Sequence, residues 1–322
     1  MTINRRALLA GAAAVAISTT RSAHAEYPER PLKAIVPRAP GGGTDILARL
    51  LSPGIQERLK QPFIIENRAD ASTVIGTSAV AQAAPDGYTF LHTDNAFYQN
   101  PAILKSLPYD TLKDFTGVTM LAQSPVILII NAAIPARNLS ELIDYARANP
   151  GKISYGSGGV GASTHLAGVL FHLATKLDLV HAPFRSSGPA LDALLGGHVT
   201  MGFGGISSSR AFIEEGKLRA MAVTGKRRDP AVPDVPTFEE LGLPVDIMSI
   251  WGVHMPANTP IALRRRLRDT MVEVIHTPQI SKRLAELGYE IIGNTPEEHE
   301  QQTRDLVSFW LDVGKRVPLT IN

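Results

Sequence analysis

Short apolar runs alternate with segments of helical periodicity from residue 32 onwards. Each run has the length of a strand and is followed by glycine, proline or polar residues, a pattern typical of buried strands in α/β proteins. The predicted strands are Leu32–Val36, Phe63–Glu66, Tyr88–His92, Val118–Leu121, Val126–Ile130, Ile153–Tyr155, Leu179–Phe184, Val199–Phe203 and Arg219–Val223.

Helical patterns fill most intervals between these strands, and the chain beyond Ile250 is predicted to be mainly helical. Pro53 is expected to kink or end the first of these helices, which starts near Ile46. The other predicted helices are Ser78–Ala84, Glu141–Ala148, His165–Lys176, Pro189–Leu195, Pro260–His276, Gln279–Leu287 and Pro296–Val313. Repeated strand–loop–helix units predict an α/β fold with helices on both faces of its sheets.

Two glycine loops of the same kind, Gly41–Gly43 and Gly156–Gly161, each separate a predicted strand from a predicted helix. Thr44–Asp45 and Ser163–Thr164 are predicted to cap the helices that follow. Such a repeat indicates two similar domains facing each other, with ligand bound between them beyond the carboxyl ends of the strands. Because free N–H groups at a helix start attract anions, a carboxylate is expected, and a dicarboxylate would suit two such starts.

Residues 1–25 have the features of a secretory signal peptide. Arg5–Arg6 precede the apolar run Ala7–Ile17, and Ala23–Ala25 places small residues where signal peptidase cuts. The run is shorter than the roughly 20 residues that span a bilayer. We expect cleavage after Ala25 and a periplasmic mature chain, exported by either the twin-arginine or the general route.

Composition is that of an ordinary globular protein, with 44% hydrophobic and 19% charged residues. The mature length of about 297 residues (322 − 25) predicts two domains. The chain has no Cys, so disulfides and thiolate catalysis are excluded. The net charge of +2 becomes −1 when Arg5, Arg6 and Arg21 leave with the signal peptide (2 − 3). This balance gives no support to nucleic acid as a partner.

The loop Gly156–Gly161 also matches the dinucleotide pattern G-x-G-x-x-G, and Asp178 follows 17 residues after Gly161. An α/β oxidoreductase is therefore the alternative function, although Asp178 precedes the next strand instead of ending it. No G-x-S-x-G or H-E-x-x-H motif occurs, and the spacing of the histidines matches no standard metal set. We predict no catalytic residues, no metal and no cofactor.

Motifs along the whole mature chain carry a resemblance to a known family. They are Tyr27-Pro28, Val36-Pro37, Pro40-Gly41-Gly42, Thr44-Asp45, Glu66-Asn67-Arg68, Ala84–Tyr88, Leu107–Asp110, Lys113–Phe115, Tyr155-Gly156-Ser157, His165–Gly168, Leu194–Gly197, Gly216–Ala220 and Pro233–Thr237. In this order they resemble the Bug family, the substrate-binding receptors of tripartite tricarboxylate transporters.

The resemblance implies a two-lobed periplasmic-binding-protein fold of type II, the Venus flytrap. Lobe 1 is expected to comprise residues 26–125 plus 250–322, and lobe 2 residues 126–249. The implied ligand is a small organic acid, and the implied partners are two membrane subunits; we expect a monomer. The positions that match the family's binding motifs are Pro40, Gly41, Gly42, Thr44, Asp45, Ser157, Ser163, Thr164 and His165. A receptor-like sensor without transport is a third reading.

Several positions depart from the family pattern. Arg38 replaces an aromatic residue, Arg185 a lysine, and Gly204 an acidic or amide residue, while 69–73 reads Ala-Asp-Ala-Ser-Thr instead of a glycine-rich stretch. A guanidinium can bind a carboxylate with two hydrogen bonds. Arg38 or Arg185 is therefore a candidate partner of the ligand, with a surface role as the alternative for each. Gly204 and Gly205 leave room for a flat aromatic acid.

Overall fold

The computed structural model describes residues 27–70, 72–184 and 186–316, so the predicted signal peptide at 1–25 and Arg185 lie outside the described residues. The strands are β1 Leu32–Val36, β2 Phe63–Asn67, β3 Thr89–Thr93, β4 Phe115–Asn131, β5 Ile153–Ser157, β6 Leu179–Pro183, β7 Met201–Gly205, β8 Leu218–Val223, β9 Met248–Pro256 and β10 Glu290–Ile291. The helices are α1 Gly43–Leu59, α2 Val74–Ala81, α3 Asn95–Ile103, α4 Leu139–Ala148, α5 Ser163–Thr175, α6 Ser187–Leu195, α7 Ile206–Glu214, α8 Ile261–Ile275, α9 Pro278–Glu286 and α10 Pro296–Arg316.

Hydrogen bonds connect the strands in the order β2-β1-β3-β9-β4-β7-β5-β6. In the first half, β2, β1 and β3 run parallel and β9 joins β3 antiparallel. In the second half, β6, β5 and β7 run parallel and β7 joins β4 antiparallel. Each half therefore has a parallel trio whose carboxyl ends lead into helices, as the repeated strand–loop–helix pattern predicts.

The long strand β4 joins the two halves. It pairs with β9 from Phe115 to Pro125 and with β7 from Val126 to Ile130. Nearly every β4 residue is buried, which explains why its sequence reads as two apolar runs without alternation. The change of partner falls between Pro125 and Val126.

Each half has its own hydrophobic core, but two helices contribute to both. Ile103 at the end of α3 and Trp310 and Val313 near the end of α10 pack among the buried residues of the second half. Val307, one turn earlier on α10, packs with the core around β1 and β3. These helices tie the two halves together in addition to β4 and β9.

The α/β class predicted from the sequence is confirmed, and so are most element positions. Strands β9 and β10 and helices α3 and α7 were not expected. Strand β9 begins where the chain was predicted to turn helical. Pro53 lies inside α1 and does not end it. The predicted strands Val118–Leu121 and Val126–Ile130 are parts of the single strand β4.

Candidate functional site

The first glycine loop leads from β1 into α1. Gly41 has φ = +84°, a left-handed conformation that favours glycine, and Gly42 caps the helix without a side-chain hydrogen bond. The buried carboxylate of Asp45 reaches back to the loop: its Oδ2 accepts from the Gly41 N–H (2.9 Å) and from Arg49 Nε (2.9 Å). Asn67 Nδ2 donates to its Oδ1 (2.9 Å). Burial opposes ionisation, yet these hydrogen bonds hold the pKa of Asp45 below its ordinary value.

The second glycine loop leads from β5 into α5 in the same way. Ala162 caps α5 without a side-chain hydrogen bond. Thr164 Oγ1 accepts from the Gly158 N–H (2.9 Å), and His165 Nδ1 accepts from the Gly161 N–H (3.3 Å). In both halves, a side chain of the first helical turn thus holds the glycine loop.

These contacts correct the predicted caps. Thr44–Asp45 and Ser163–Thr164 lie inside the first turn, and none of their side chains covers the N–H groups at the helix start. The N–H groups of Gly43, Thr44, Ser163 and Thr164 donate to no acceptor among the described residues. Two helix starts therefore offer open donors and the positive end of a helix dipole.

Both helix starts converge on strand β9. The Oγ atoms of Ser163 on α5 and Ser249 on β9 lie 2.7 Å apart. A Cβ at Gly43, the first residue of α1, would lie 2.9 Å from the indole of Trp251, so glycine is required for this close contact. Ser249 and Trp251 are two positions apart on one strand, so they share a face and are separated by about 7 Å.

We call the place where α1, α5 and β9 meet the junction. Helix α3 of the first half forms further hydrogen bonds there. Asn95 Nδ2 donates to the Met248 carbonyl (2.8 Å), and its Oδ1 accepts from the Ile250 N–H (3.0 Å). The buried Gln99, with its amide nitrogen turned towards the second glycine loop, donates to the Gly161 carbonyl. The glycine loop of the second half thus contacts a helix of the first half directly.

A stack of rings lies beneath the second glycine loop. The ring of His181 stacks on Tyr155 (4.7 Å between centroids) and on His165 (4.2 Å), and Ser157 Oγ lies 2.6 Å from His181 Nε2. Burial, with a smaller effect of His181, lowers the pKa of His165 to about 3, and burial lowers that of His181 to about 4. At pH 7 both rings are therefore neutral. Because His165 Nδ1 accepts a hydrogen bond, its proton is on Nε2, which can donate.

Arg38, predicted to pair with a ligand carboxylate, pairs here with a carboxylate of the chain itself. Its Nε lies 2.6 Å from Asp94 Oδ2, and its Nη2 lies 3.4 Å from Oδ1. Pro40, the remaining residue of the predicted set in the first loop, is exposed. Arg185, the other predicted guanidinium, is outside the described residues.

Sequence reasoning missed the residues of the junction. Asn95, Gln99, Ser249 and Trp251 belong to α3 and β9, two elements that were not predicted. Their partners are up to about two hundred positions away in sequence, so no local pattern links them. The glycine at position 43 was a partial signal, because a helix start without a side chain indicates a close neighbour.

The geometry disagrees with a dinucleotide site at Gly156–Gly161. Asp178, the candidate ribose acid, lies near Gly151 before β5 begins, at the opposite end of that strand from the glycine loop. The Gly158 and Gly161 N–H groups already donate to Thr164 and His165 in the first turn of α5. Within residues 27–70, 72–184 and 186–316, no group of three metal-ligating side chains is present, and no helix is both long and apolar enough for a membrane span.

Comparisons with known proteins match this architecture. The family model described as tripartite tricarboxylate transporter family receptor matches residues 47–317. Protein BugT of Bordetella pertussis (strain Tohama I) is 33% identical, and the match covers 89% of this chain and 89% of BugT.

Two solved structures are similar over nearly their whole length. Rpa4515 of R. palustris with adipate has a TM-score of 0.83 and 31% identity, covering 90% of this chain and 98% of that protein. MatC (Rpa3494) of Rhodopseudomonas palustris with bound malate has a TM-score of 0.82 and 31% identity, covering 89% and 100%. The predicted two-lobed binding-protein fold is confirmed.

Proposed function

The chain belongs to the Bug family of tripartite tricarboxylate transporter receptors, and from this premise we propose that it binds one small organic acid in the cleft between its two lobes. The observation that carries the proposal is the convergence of two open helix starts, those of α1 and α5, on one face of β9. A carboxylate placed there would accept from N–H groups of both lobes. The adipate and malate held by Rpa4515 and MatC support this ligand class.

Within this site the residues divide into donors and supports. The N–H groups of Gly43, Thr44, Ser163 and Thr164 and the Nε2–H of His165 donate to the acid. The supports hold the two glycine loops in place by accepting from loop N–H groups: Asp45 from Gly41, Ser157 from Gly159 and the Thr164 hydroxyl from Gly158. Because the donors are neutral and fixed before binding, little side-chain ordering opposes affinity.

Binding closes the cleft in this proposal. Lobe 1 comprises residues 26–125 plus 250–322 and lobe 2 residues 126–249, a division supported by the change in partner of β4 after Pro125. An acid bonded to both helix starts favours the closed arrangement, and β4 and β9 absorb the movement as a hinge. The closed, monomeric receptor then delivers the acid to the two membrane subunits of its transporter. The location is the periplasm, reached after cleavage of residues 1–25.

Thermal unfolding with a panel of carboxylates tests the proposal. An acid at 100 times its Kd should raise the free energy of unfolding by about 2.7 kcal/mol. The panel includes linear and aromatic acids, because Gly204 and Gly205 bear no side chains. Stabilisation by NAD and by no carboxylate would contradict the proposed function.

A further inference from the structure

Three helices of lobe 1 start at the ligand side of its sheet. They are α1, α2 and α3, which follow the adjacent parallel strands β1, β2 and β3. The start of α1 is open, as described above. The starts of α2 and α3 are each occupied by a carboxylate of the chain itself, from Asp70 and Asp94.

The Asp70 carboxylate accepts hydrogen bonds from the N–H groups around the start of α2. Its Oδ2 accepts from the N–H groups of Ser72 (3.2 Å) and Val74 (3.1 Å), and its Oδ1 accepts from the Ile75 N–H (3.1 Å). It belongs to the segment 69–73, which departs from the glycine-rich family pattern. A carboxylate here uses the N–H groups that would otherwise be available to an anion.

Asp94 does the same at α3. Its Oδ1 accepts from the Ala96 N–H (2.9 Å), while both of its oxygens bond Arg38. Burial opposes the charge of Arg38, yet Asp94, and to a smaller extent Asp70, raise the pKa of its guanidinium. One cation therefore faces two anions, and the corner formed by Arg38, Asp70 and Asp94 has a net charge of −1 from these three groups (1 − 2).

The corner adjoins the open start of α1. Asn67 Nδ2 donates to the Arg38 carbonyl (3.0 Å) and to Asp45 Oδ1 (2.9 Å), which holds the first glycine loop. The α2 residue Gly76 packs against Pro37, with the position of its absent Cβ 2.8 Å from the Pro37 ring. The segments after β1 and β2 thus pack against each other next to the first glycine loop.

We propose that Asp70, together with Asp94, determines specificity by rejecting an acid whose far end carries a second carboxylate. This inference rests on the proposed function, with one carboxylate of the acid at the junction of α1 and α5. The far end of the acid, extending towards the corner, is uncharged or cationic. A second carboxylate would meet two anions whose surrounding donors are already used.

Three acids with six carbons each differ in the charge of the far end: adipate, hexanoate and 6-aminohexanoate. Their affinities are measured by calorimetry on the full-length mature chain and on the Asp70→Asn variant, which keeps a side chain able to accept a hydrogen bond. In the wild type, adipate should bind more weakly than hexanoate. In Asp70→Asn, the adipate-to-hexanoate affinity ratio should rise on the order of tenfold, as expected for two unit charges several ångströms apart near a protein surface, and the 6-aminohexanoate-to-hexanoate ratio should fall.

Asp86→Asn is the matched control. Asp86 lies in lobe 1, pairs with Arg30 (2.6 Å) and precedes β3, so it is at the opposite edge of the sheet. This variant should leave both ratios unchanged. Ratios that stay the same in Asp70→Asn, or tighter binding of adipate than of hexanoate by the wild type, would overturn the inference while leaving the proposed function intact. Failure of all three acids to bind the wild type would count against the proposed function itself.

Discussion

Three buried histidines in the first half of the fold are expected to make the protein sensitive to acid. His92 on β3, His254 on β9 and His299 on α10 have at most 1% of their surface exposed. Neither ring nitrogen of His92 or His299 has a hydrogen-bond partner among the described residues. Burial lowers the pKa of His92 to about 4 and that of His299 to about 3, and burial together with His299 lowers that of His254.

The direction in which stability changes with pH follows from proton binding. In the unfolded chain a histidine binds a proton below its ordinary pKa of about 6.5, whereas His92 in the folded chain does so only near 4. The contribution of His92 to stability is therefore constant above about pH 6.5 and falls as the pH drops from there towards 4. Between pH 7 and pH 5 the loss amounts to about 2 kcal/mol for His92 alone.

The test compares wild type with His92→Leu by urea unfolding at pH 7 and pH 5. Leucine suits the site, because the ring lies near Phe63 and Phe90 and makes no hydrogen bond. The loss of stability from pH 7 to pH 5 should be smaller by about 2 kcal/mol in the variant. Replacing the exposed His276 by Gln is the control, with a loss equal to that of wild type. An equal loss in His92→Leu would refute the reasoning.

Two substitutions test the glycine loops. Thr164→Val leaves the Gly158 N–H without its acceptor, so it should lower stability by about 1–3 kcal/mol and weaken acid binding; Thr175→Val on the same helix should leave binding unchanged in calorimetry. Gly43→Ala places a Cβ against the indole of Trp251 on β9. It should lower the free energy of unfolding in urea by about 1–3 kcal/mol and weaken acid binding. Gly188→Ala on α6 has room for its Cβ, so equal destabilisation there would contradict the packing argument.

Local sequence patterns were sufficient for the two repeated units. Both loops were identified from the apolar runs around β1 and β5 and the glycines that follow them. This was possible because a buried strand and a glycine turn each depend on residues that are adjacent in sequence. The repeat itself indicated two similar domains, and the family resemblance supplied their type II binding-protein arrangement. What the patterns misassigned was the cap: helix α1 starts at Gly43, since Asp45 bonds back to the Gly41 N–H instead of covering the helix start.

The junction between the lobes could not be predicted from local patterns. Strand β9 contains Ser249, Trp251 and Gly252 among apolar residues, which gives no clear alternation, and its partners β3 and β4 are more than a hundred residues earlier. The partner of Arg38 also could not be predicted from local patterns. Its position after β1 suggested a role in binding, but only the fold reveals that Asp94, after β3, already pairs with it.

The most direct test of the central claim is a crystal structure of the mature chain with a stabilising acid. The carboxylate should lie about 2.7–3.2 Å from backbone nitrogens at both helix starts, Gly43–Thr44 on α1 and Ser163–Thr164 on α5. A carboxylate bound to one lobe alone, or away from both helix starts, would contradict the account.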